Sequence, residues 1–383
     1  KVNLINNKFN KRCKRCIMDQ TTSEIKFNSN GICNFCEDFK NNLQRYKDSE
    51  SNKKLELENL ISSIKNDGRN KRYDCVIGLS GGVDSSWVLH LAMLHKLRPL
   101  VVHMDNGWNS ELAQNNIYNL IERLNVDFYT YIIDWEEYRD LMQSFFNADV
   151  IDIELLTDNA LQAVVSNQAK KYGVKYVLSG QNISTEGMAM PKDWNWFKLD
   201  KKNIYSIAKK SKVKIKTYPS IGVIDFCINK FIYKINWIPF LDYFTYEKSK
   251  ALDILSETYL YKKYPYKHYE SIFTRFYQGY ILPNKFNVDK RLVHLSTLIM
   301  SNQISRDQAI SDLKTIPYNS VDELIEDKNY FLKKMNWDEE KLNIYLSRRA
   351  IPHHAYKSEK FLYDFLLNKL NPILKKIYSP KVY

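Results

Sequence analysis

The stretch Asp74-Cys-Val-Ile-Gly-Leu79-Ser80-Gly81-Gly82-Val83-Asp84-Ser85-Ser86 decides the fold. Residues 74–79 are an apolar run of strand length, and from Val83 apolar residues recur at helical spacing through Trp87, Val88, Leu91 and Leu94. Between the two, a pair of glycines lets the backbone take positive φ and come close to an anion. Their N–H groups, with those of the first helical turn, form an anion-binding nest at the positive end of the helix dipole. Ser80, Ser85 and Ser86 add hydroxyl donors. Asp84 is out of place in a bare anion site, but it fits as a Mg²⁺ ligand that also caps the helix. No lysine follows the glycines, so this is not the G-x-x-x-x-G-K-[ST] loop.

Outward from the loop the chain alternates. Residues 99–104 read as a second strand, 111–124 as a helix and 127–133 as a third strand. Helices follow near 136–146 and 157–172, and residues 175–179 make a fourth strand. Strand–helix alternation predicts an α/β fold, a doubly wound parallel sheet that binds its ligand at the carboxyl ends of the strands. His103 and Asp105 end the second strand, and Gly180 and Gln181 follow the fourth, so all four are candidate nucleotide-binding residues. Further helices near 251–260, 271–280, 290–300, 306–313, 321–327 and 361–370 predict a mainly helical C-terminal lobe.

Six cysteines are present, and four of them read Cys13-Lys-Arg-Cys16 and Cys33-Asn-Phe-Cys36. Two C-x-x-C knuckles at this separation have the spacing of a four-thiolate zinc site, and Gly31 supplies the turn before the second knuckle. With no apolar signal segment at the N-terminus, a reducing cytoplasm and structural Zn²⁺ are expected rather than disulfides. A segment of about 45 residues cannot be stable on its own core, so the metal is expected to hold it together. The domains expected are a Cys₄ module over 1–45, a charged linking helix within 46–72, the alternating domain over 73–217 and the helical region over 218–383.

A chain of 383 residues predicts two or three domains, and 44% hydrophobic with 26% charged residues excludes a largely disordered one. No uninterrupted apolar run is long enough for a membrane span, since residues 221–244 carry Asp225, Lys230, Lys234 and Asp242. The net charge of +13 suits nucleic acid, a phosphorylated substrate or an anionic surface without choosing among them. Lysines 198, 201, 202, 209, 210, 212, 214 and 216 stand nearly unopposed and read as a solvated face.

The 80–86 string resembles the PP-loop, S-G-G-x-D-S, of the N-type ATP pyrophosphatases (adenine nucleotide alpha hydrolase-like enzymes). The resemblance implies that ATP is cut between its α and β phosphates, that a carbonyl-type oxygen is adenylated, and that pyrophosphate leaves into the nest. The run from Lys267-His268-Tyr269-Glu270-Ser271 through Arg275 to Pro283, and Asp289-Lys290-Arg291 through His294-Leu295-Ser296, resemble signatures of the N-acetyl sugar amidotransferases of surface-polysaccharide (lipopolysaccharide, O-antigen) and nonulosonate biosynthesis. That family's order, a Cys₄ module, a PP-loop domain and a helical C-terminal part, is also the order read here. The resemblance implies ATP, Mg²⁺ and a nucleotide-activated acetamido sugar as ligands, and conversion of the acetamido group to an acetamidino group by ammonia. It also implies a glutaminase and a cyclase-like barrel subunit to supply that ammonia, because no glutaminase nucleophile is visible in the chain. Lys267 and Arg275 are expected to hold phosphate, and His268 and Glu270 to contact sugar or move a proton. Two other readings stand beside this one. A tRNA-modifying PP-loop enzyme, a thiolase or a lysidine synthetase, suits the basic charge, although a thiolase would need a cysteine pair that Cys75 and Cys227 do not form. A zinc-ribbon nucleic-acid-binding protein would need a decayed loop, and this loop is intact. A nucleic-acid partner is therefore not expected.

Overall fold

The computed structural model describes residues 11–48, 52–264 and 269–366. Five parallel strands, β1 (Cys75–Gly78), β2 (Pro99–Asp105), β3 (Asp127–Ile132), β4 (Tyr176–Ser179) and β5 (Asn236–Pro239), form one sheet in the order β3-β2-β1-β4-β5. From β1 the chain steps outward through β2 to β3, then returns to place β4 on β1's other side. The reversal leaves a crevice at the carboxyl end of β1, where such sheets bind ligands. The expected doubly wound α/β architecture is thus present.

Alternation along the strands builds a core on each face. Cys75 and Ile77 of β1 point into one core with Val101 and Leu178, while Val76 points into the other with Leu100, Val102 and Val177. The first core is closed by helices α2 (Lys53–Gly68), α3 (Val83–Leu94), α4 (Glu111–Leu124) and α10 (Lys248–Tyr259), the second by α5 (Trp135–Asn147) and α6 (Leu155–Lys171). Asp74 ties the amino ends of β1 and β2 together by accepting from Arg98, at 2.6 Å from Nη2 and 2.9 Å from the backbone N–H.

Three boundaries differ from those the sequence suggests. The linker between the Cys₄ module and the sheet comprises two helices, α1 (Asn34–Asp48) and α2. The sheet does not end at 217, because β5 pairs with β4 through Tyr176↔Asn236 to Ser179↔Pro239. Residues 271–280 are not one α-helix either: α11 (Ile272–Phe276) passes into a π-helical stretch, Tyr277–Phe286, that contains Pro283. Proline lacks the N–H that a regular helix needs, and the wider turn accommodates it. Helices α7 (Ile183–Glu186), α8 (Lys201–Lys210) and α9 (Val223–Phe231) lie between β4 and β5. The C-terminal region adds α12 (Arg291–Met300), α13 (Arg306–Leu313), α14 (Val321–Met335) and α15 (Glu339–Ser347), with a helical segment at 360–366.

The C-terminal helices pack onto the second face of the sheet instead of standing apart. Trp108, fully buried just after β2, meets Phe273 at 5.4 Å and Phe331 at 6.2 Å between ring centres, and Phe146 of α5 meets Phe331, Trp337 and Tyr345. Backbone pairing fixes the junction: Ser110 donates to the Glu270 carbonyl and Ile272 to the Trp108 carbonyl, both at 2.9 Å. Residues 269–272 are thereby held at the carboxyl edge of the sheet, beside the 80–86 loop.

Candidate active site and thiolate centre

Gly81 lies at φ +85°, and a Cβ built there would sit 3.0 Å from the Ala113 carbonyl oxygen, so only glycine fits. Its own carbonyl accepts from the hydroxyls of Tyr261 and Tyr264, both at 2.9 Å. Gly82 is the N-cap of α3 and has no side chain to occupy the first-turn amides, so that helix end stays open toward the cleft for an anion. Ser80 and Ser85 hydroxyls lie 3.2 Å apart at the rim, whereas Ser86 is fully buried and donates back to the Gly82 carbonyl at 2.8 Å. Asp84, in the first turn, accepts from the Tyr246 hydroxyl. Burial and the Asp84 charge together push the Tyr246 pKa upward, keeping it a donor. Gly180 closes the other side: a Cβ there would come within 3.0 Å of the Asp84 carbonyl carbon and the Ser85 nitrogen.

A cleft of about 2210 Å³ runs from this loop across the carboxyl edge. Ser80, Gly82, Asp84, Ser85, Gly180, Gln181, Thr185, Glu186, Glu270 and Arg275 are among its lining residues. A single small ligand fills roughly 300–1,000 Å³, so there is room for two substrates. Glu270 faces the loop, its Oε1 lying 3.5 Å from where a Gly82 Cβ would be.

Beyond Ser86, whose hydroxyl is spent on the Gly82 carbonyl, three expected roles are not met. His103 is buried, its Nδ1 donating to the Leu79 carbonyl at 2.8 Å and its Nε2 accepting from Asn109 at 2.9 Å. Burial lowers its pKa, so the ring is a neutral brace between β1 and β2 and does not touch the cleft. Asp105 likewise spends its carboxylate on Gly107 N–H (2.8 Å) and Asn109 (3.3 Å). Arg275 does line the cleft, but it is not a phosphate clamp. Asp327 binds it in two bonds of 2.6 Å, Glu323 in one of 3.2 Å, and Tyr269 stacks 4.4 Å from its guanidinium carbon. Its charge is already neutralised. Lys267 and His268 lie outside the described residues.

Other residues at the site carried no sequence signal. Tyr246, Tyr261 and Tyr264 lie some 160 to 180 positions from the loop they brace, and nothing in a tyrosine-rich stretch marks those three. Lys198, at the head of the lysine run, binds Asp152 at 2.7 Å and Asp158 at 2.9 Å instead of facing water. Lys290, within the second signature, pairs with Glu154 at 2.7 Å, and Gln278 donates to the same carboxylate.

The Cys13, Cys16, Cys33 and Cys36 sulfurs are buried and lie within 4.8 Å of one another. Cys13–Cys36 and Cys16–Cys33 Sγ separations are 3.8 and 3.7 Å. A disulfide needs about 2.05 Å. Four sulfurs each about 2.3 Å from a central Zn²⁺ would be separated by about 3.8 Å, so the cluster fits a tetrahedral ion. Backbone N–H groups of Arg15, Met18 and Cys33 point at the sulfurs at 3.3–3.4 Å, as suits thiolates. Gly31 takes φ +77°, the conformation expected before the second knuckle. No second cluster of three or more metal-ligating side chains occurs among the described residues. Within the 80–86 loop Asp84 is the one carboxylate that could help hold Mg²⁺.

Comparison with known proteins agrees with this arrangement. Residues 56–175 match the NAD synthase family model, and residues 270–370 match that of the LPS biosynthesis protein WbpG-like C-terminal domain. No curated protein matches the chain. Among solved structures, NMN synthetase from Francisella tularensis aligns at 18% identity over 57% of this chain and 99% of its own, with a TM-score of 0.29. The NH3-dependent NAD synthetase from Campylobacter jejuni aligns at 17% identity over 70% of this chain and 99% of its own, with a TM-score of 0.28. The two family matches mark an ATP-using enzyme of the amidating kind, with the phosphate loop in one matched segment and the opposing cleft wall in the other. A WbpG-like C-terminal segment joined to an NAD synthase-like PP-loop segment is the pairing that supports a WbpG-like PP-loop amidotransferase family.

Proposed function

We propose that the chain converts the acetamido group of a nucleotide-activated sugar into an acetamidino group, consuming ATP and releasing AMP and pyrophosphate. The observation that carries this reading is the approach of Glu270, first residue of the WbpG-like segment, to Gly82 of the phosphate loop across a cleft with room for two substrates. An amide oxygen is a poor leaving group until it is phosphorylated. In this account the acetamido oxygen attacks the α-phosphorus of ATP. The bond to the bridging oxygen breaks, and pyrophosphate departs with both electrons into the amides of Gly81, Gly82 and the first turn of α3. Ammonia then adds to the activated carbon, AMP leaves with the former amide oxygen, and one proton is lost to leave the amidinium cation. Asp84 and the substrate phosphates would hold Mg²⁺, which would supply charge neutralisation. The chain's own work is positioning and hydrogen bonding to the leaving group.

Glu270, beside the loop, is placed to take the proton that ammonia loses. Cys13, Cys16, Cys33 and Cys36 would hold a structural Zn²⁺ that ties the N-terminal module together. A glutaminase with a cyclase-like barrel supplies ammonia, and the reaction belongs to the cytoplasm. Cys75 is fully buried within β1, and Cys227 lines the cleft with no second cysteine among the described lining residues, which disfavours a tRNA thiolase. The test is pyrophosphate release by the purified protein with ATP, Mg²⁺ and ammonium. Release that requires an acetamido sugar nucleotide supports the reading, and release triggered by transfer RNA contradicts it.

A further inference from the structure

The net charge of +13 exceeds anything the reaction uses, and the fold gathers part of it on one edge. Every crossover enters the parallel sheet at its amino edge, at the other end of the strands from the 80–86 loop. Arg69 and Lys71 lie there between α2 and β1, Lys96 between α3 and β2, Lys170 and Lys171 in the last turn of α6, and Lys234 between α9 and β5. Strands lie about 4.8 Å apart, so the row from β5 to β2 spans about 15 Å. Contacts join it: Arg98 donates to the Lys71 carbonyl at 3.0 Å, Lys71 to the Gly173 carbonyl, and the Lys170 ammonium stands 5.7 Å from the Tyr233 ring centre. Three carboxylates on this edge are occupied: Asp67 by Lys175 at 2.8 Å, Asp74 by Arg98 at 2.6 Å and Asp127 by Arg72 at 2.9 Å. The six cations of the row form no ion pair among the described residues.

A lysine in the last turn of a helix complements the helix dipole, which accounts for Lys170 and Lys171 taken singly. It does not account for the apolar residues beside them. Phe231, Ile232 and Tyr233, at the turn from α9 into β5, are 49%, 70% and 49% exposed. Three consecutive large apolar side chains in the open are a fault in a surface that has no partner. Ile224, Ile228 and Phe231 recur at i, i+4 and i+7, so the exposure continues along one face of α9, and Trp237 of the edge strand β5 is exposed as well.

Charge and shape choose the occupant. A second copy seated about a two-fold axis would set these cations against their own counterparts. A nucleic acid would use the cations but gain nothing from Ile224, Ile228 and Ile232. A bilayer containing anionic phospholipid uses both: aliphatic side chains enter the boundary between headgroups and acyl chains, tyrosine and tryptophan sit at headgroup depth, and lysines meet the phosphates. No helix among the described residues is long and apolar enough to cross a membrane, so the contact is with the surface.

We infer that the amino edge of the sheet docks on an anionic phospholipid bilayer, with Phe231-Ile232-Tyr233 as the inserting tip and Lys170, Lys171 and Lys234 as its charged collar. The 80–86 loop, at the opposite end of the strands, stays open to the aqueous phase. The inference does not depend on the proposed reaction.

The test is co-sedimentation of the full chain with sucrose-loaded vesicles, phosphatidylglycerol mixed with phosphatidylcholine in one arm and phosphatidylcholine alone in the other. Binding is expected in the first arm only, weakening as salt is raised. Ile232→Ser combined with Tyr233→Ser should weaken it roughly 10-fold or more, through lost apolar burial. Lys171→Gln combined with Lys234→Gln should weaken it about 25-fold, the joint worth of two lysines near an anionic surface. All four side chains are exposed, so neither pair of changes removes core packing. No binding to the anionic vesicles, equal binding to the neutral ones, or binding that survives both pairs of changes overturns the inference. A single-stranded RNA bound through the lysines and indifferent to the Ile232 and Tyr233 changes would give the face to nucleic acid and overturn it too. So would a dimer in sedimentation velocity that those two changes split.

Discussion

The Tyr246 hydroxyl donates to the Asp84 carboxylate across 162 positions of sequence. Asp84 lies in the first turn of α3, and Tyr246 precedes α10 on the first face of the sheet. The contact fixes the one carboxylate that the loop offers to a cation. Asp84→Asn should cut the rate of ATP-dependent pyrophosphate release by about 100-fold or more, the scale on which charge stabilisation at a reacting centre operates. Tyr246→Phe should lower it less, with a larger Mg²⁺ requirement. Magnesium titrations of both variants check this; wild-type behaviour in Asp84→Asn would remove the residue from its metal role.

The glycine positions test the shape of the cradle. Gly81→Ala places a side chain at positive φ against the Ala113 carbonyl, and Gly180→Ala drives one into the backbone of Asp84 and Ser85. Gly81→Ala should cost about 1–2 kcal/mol of stability from strain at positive φ, and Gly180→Ala about 1–3 kcal/mol from overpacking. Both should lose ATP binding by more than the change in melting temperature accounts for. Calorimetric titration with ATP, alongside thermal denaturation, separates the two effects.

The thiolate module, a candidate metal site, is also tied to the C-terminal helices. Arg306 of α13 donates to the Cys13 and Cys16 carbonyls, both at 3.1 Å, and Ile17 N–H donates to Ser296 of α12 at 3.2 Å. Elemental analysis should find one zinc per chain. Arg306→Ala should speed zinc loss to a chelator and lower stability by about 1–3 kcal/mol. A protein that contains no zinc and keeps its melting temperature in chelator would contradict the structural-metal account.

Much of this was legible in the sequence, and the losses follow a pattern. Strands β1 to β4 were visible because each is a short apolar run cut off by turn residues, and the Gly81-Gly82 loop because a strand and a helix bracket it. The four cysteines announced their cluster through spacing alone. What escaped depended on partners far along the chain. Arg275 looks like a phosphate ligand until Asp327, 52 positions later, is seen to hold it. Lys198 looks solvated until Asp152 and Asp158 close on it. Strand β5 is four residues ending in Pro239 at a sheet edge, inside an apolar run with no alternation to mark it.

His353 gives a pH signature. It is fully buried and stacked on Trp196 at 5.0 Å, with Nδ1 donating to Asn203 at 2.8 Å and Nε2 accepting from the Asp152 N–H at 3.2 Å. Burial lowers its pKa to about 4, against about 6.5 in an unfolded chain. Between these values the unfolded chain binds a proton that the folded one refuses, so stability falls as pH drops from about 6.5 to about 4, by roughly 3 kcal/mol in total. Denaturant melts of wild type and His353→Gln should diverge in slope across that window and run parallel above it. Parallel curves throughout would show that His353 protonates equally in both states.

The most direct measurement follows the oxygen. An acetamido sugar nucleotide labelled with ¹⁸O in its acetamide carbonyl, incubated with the enzyme, ATP, Mg²⁺ and ammonium, should yield AMP that carries the label, together with unlabelled pyrophosphate, by mass spectrometry. Formation of ADP, or of AMP without ¹⁸O, would contradict adenylation of the amide oxygen at the Ser80–Ser86 loop.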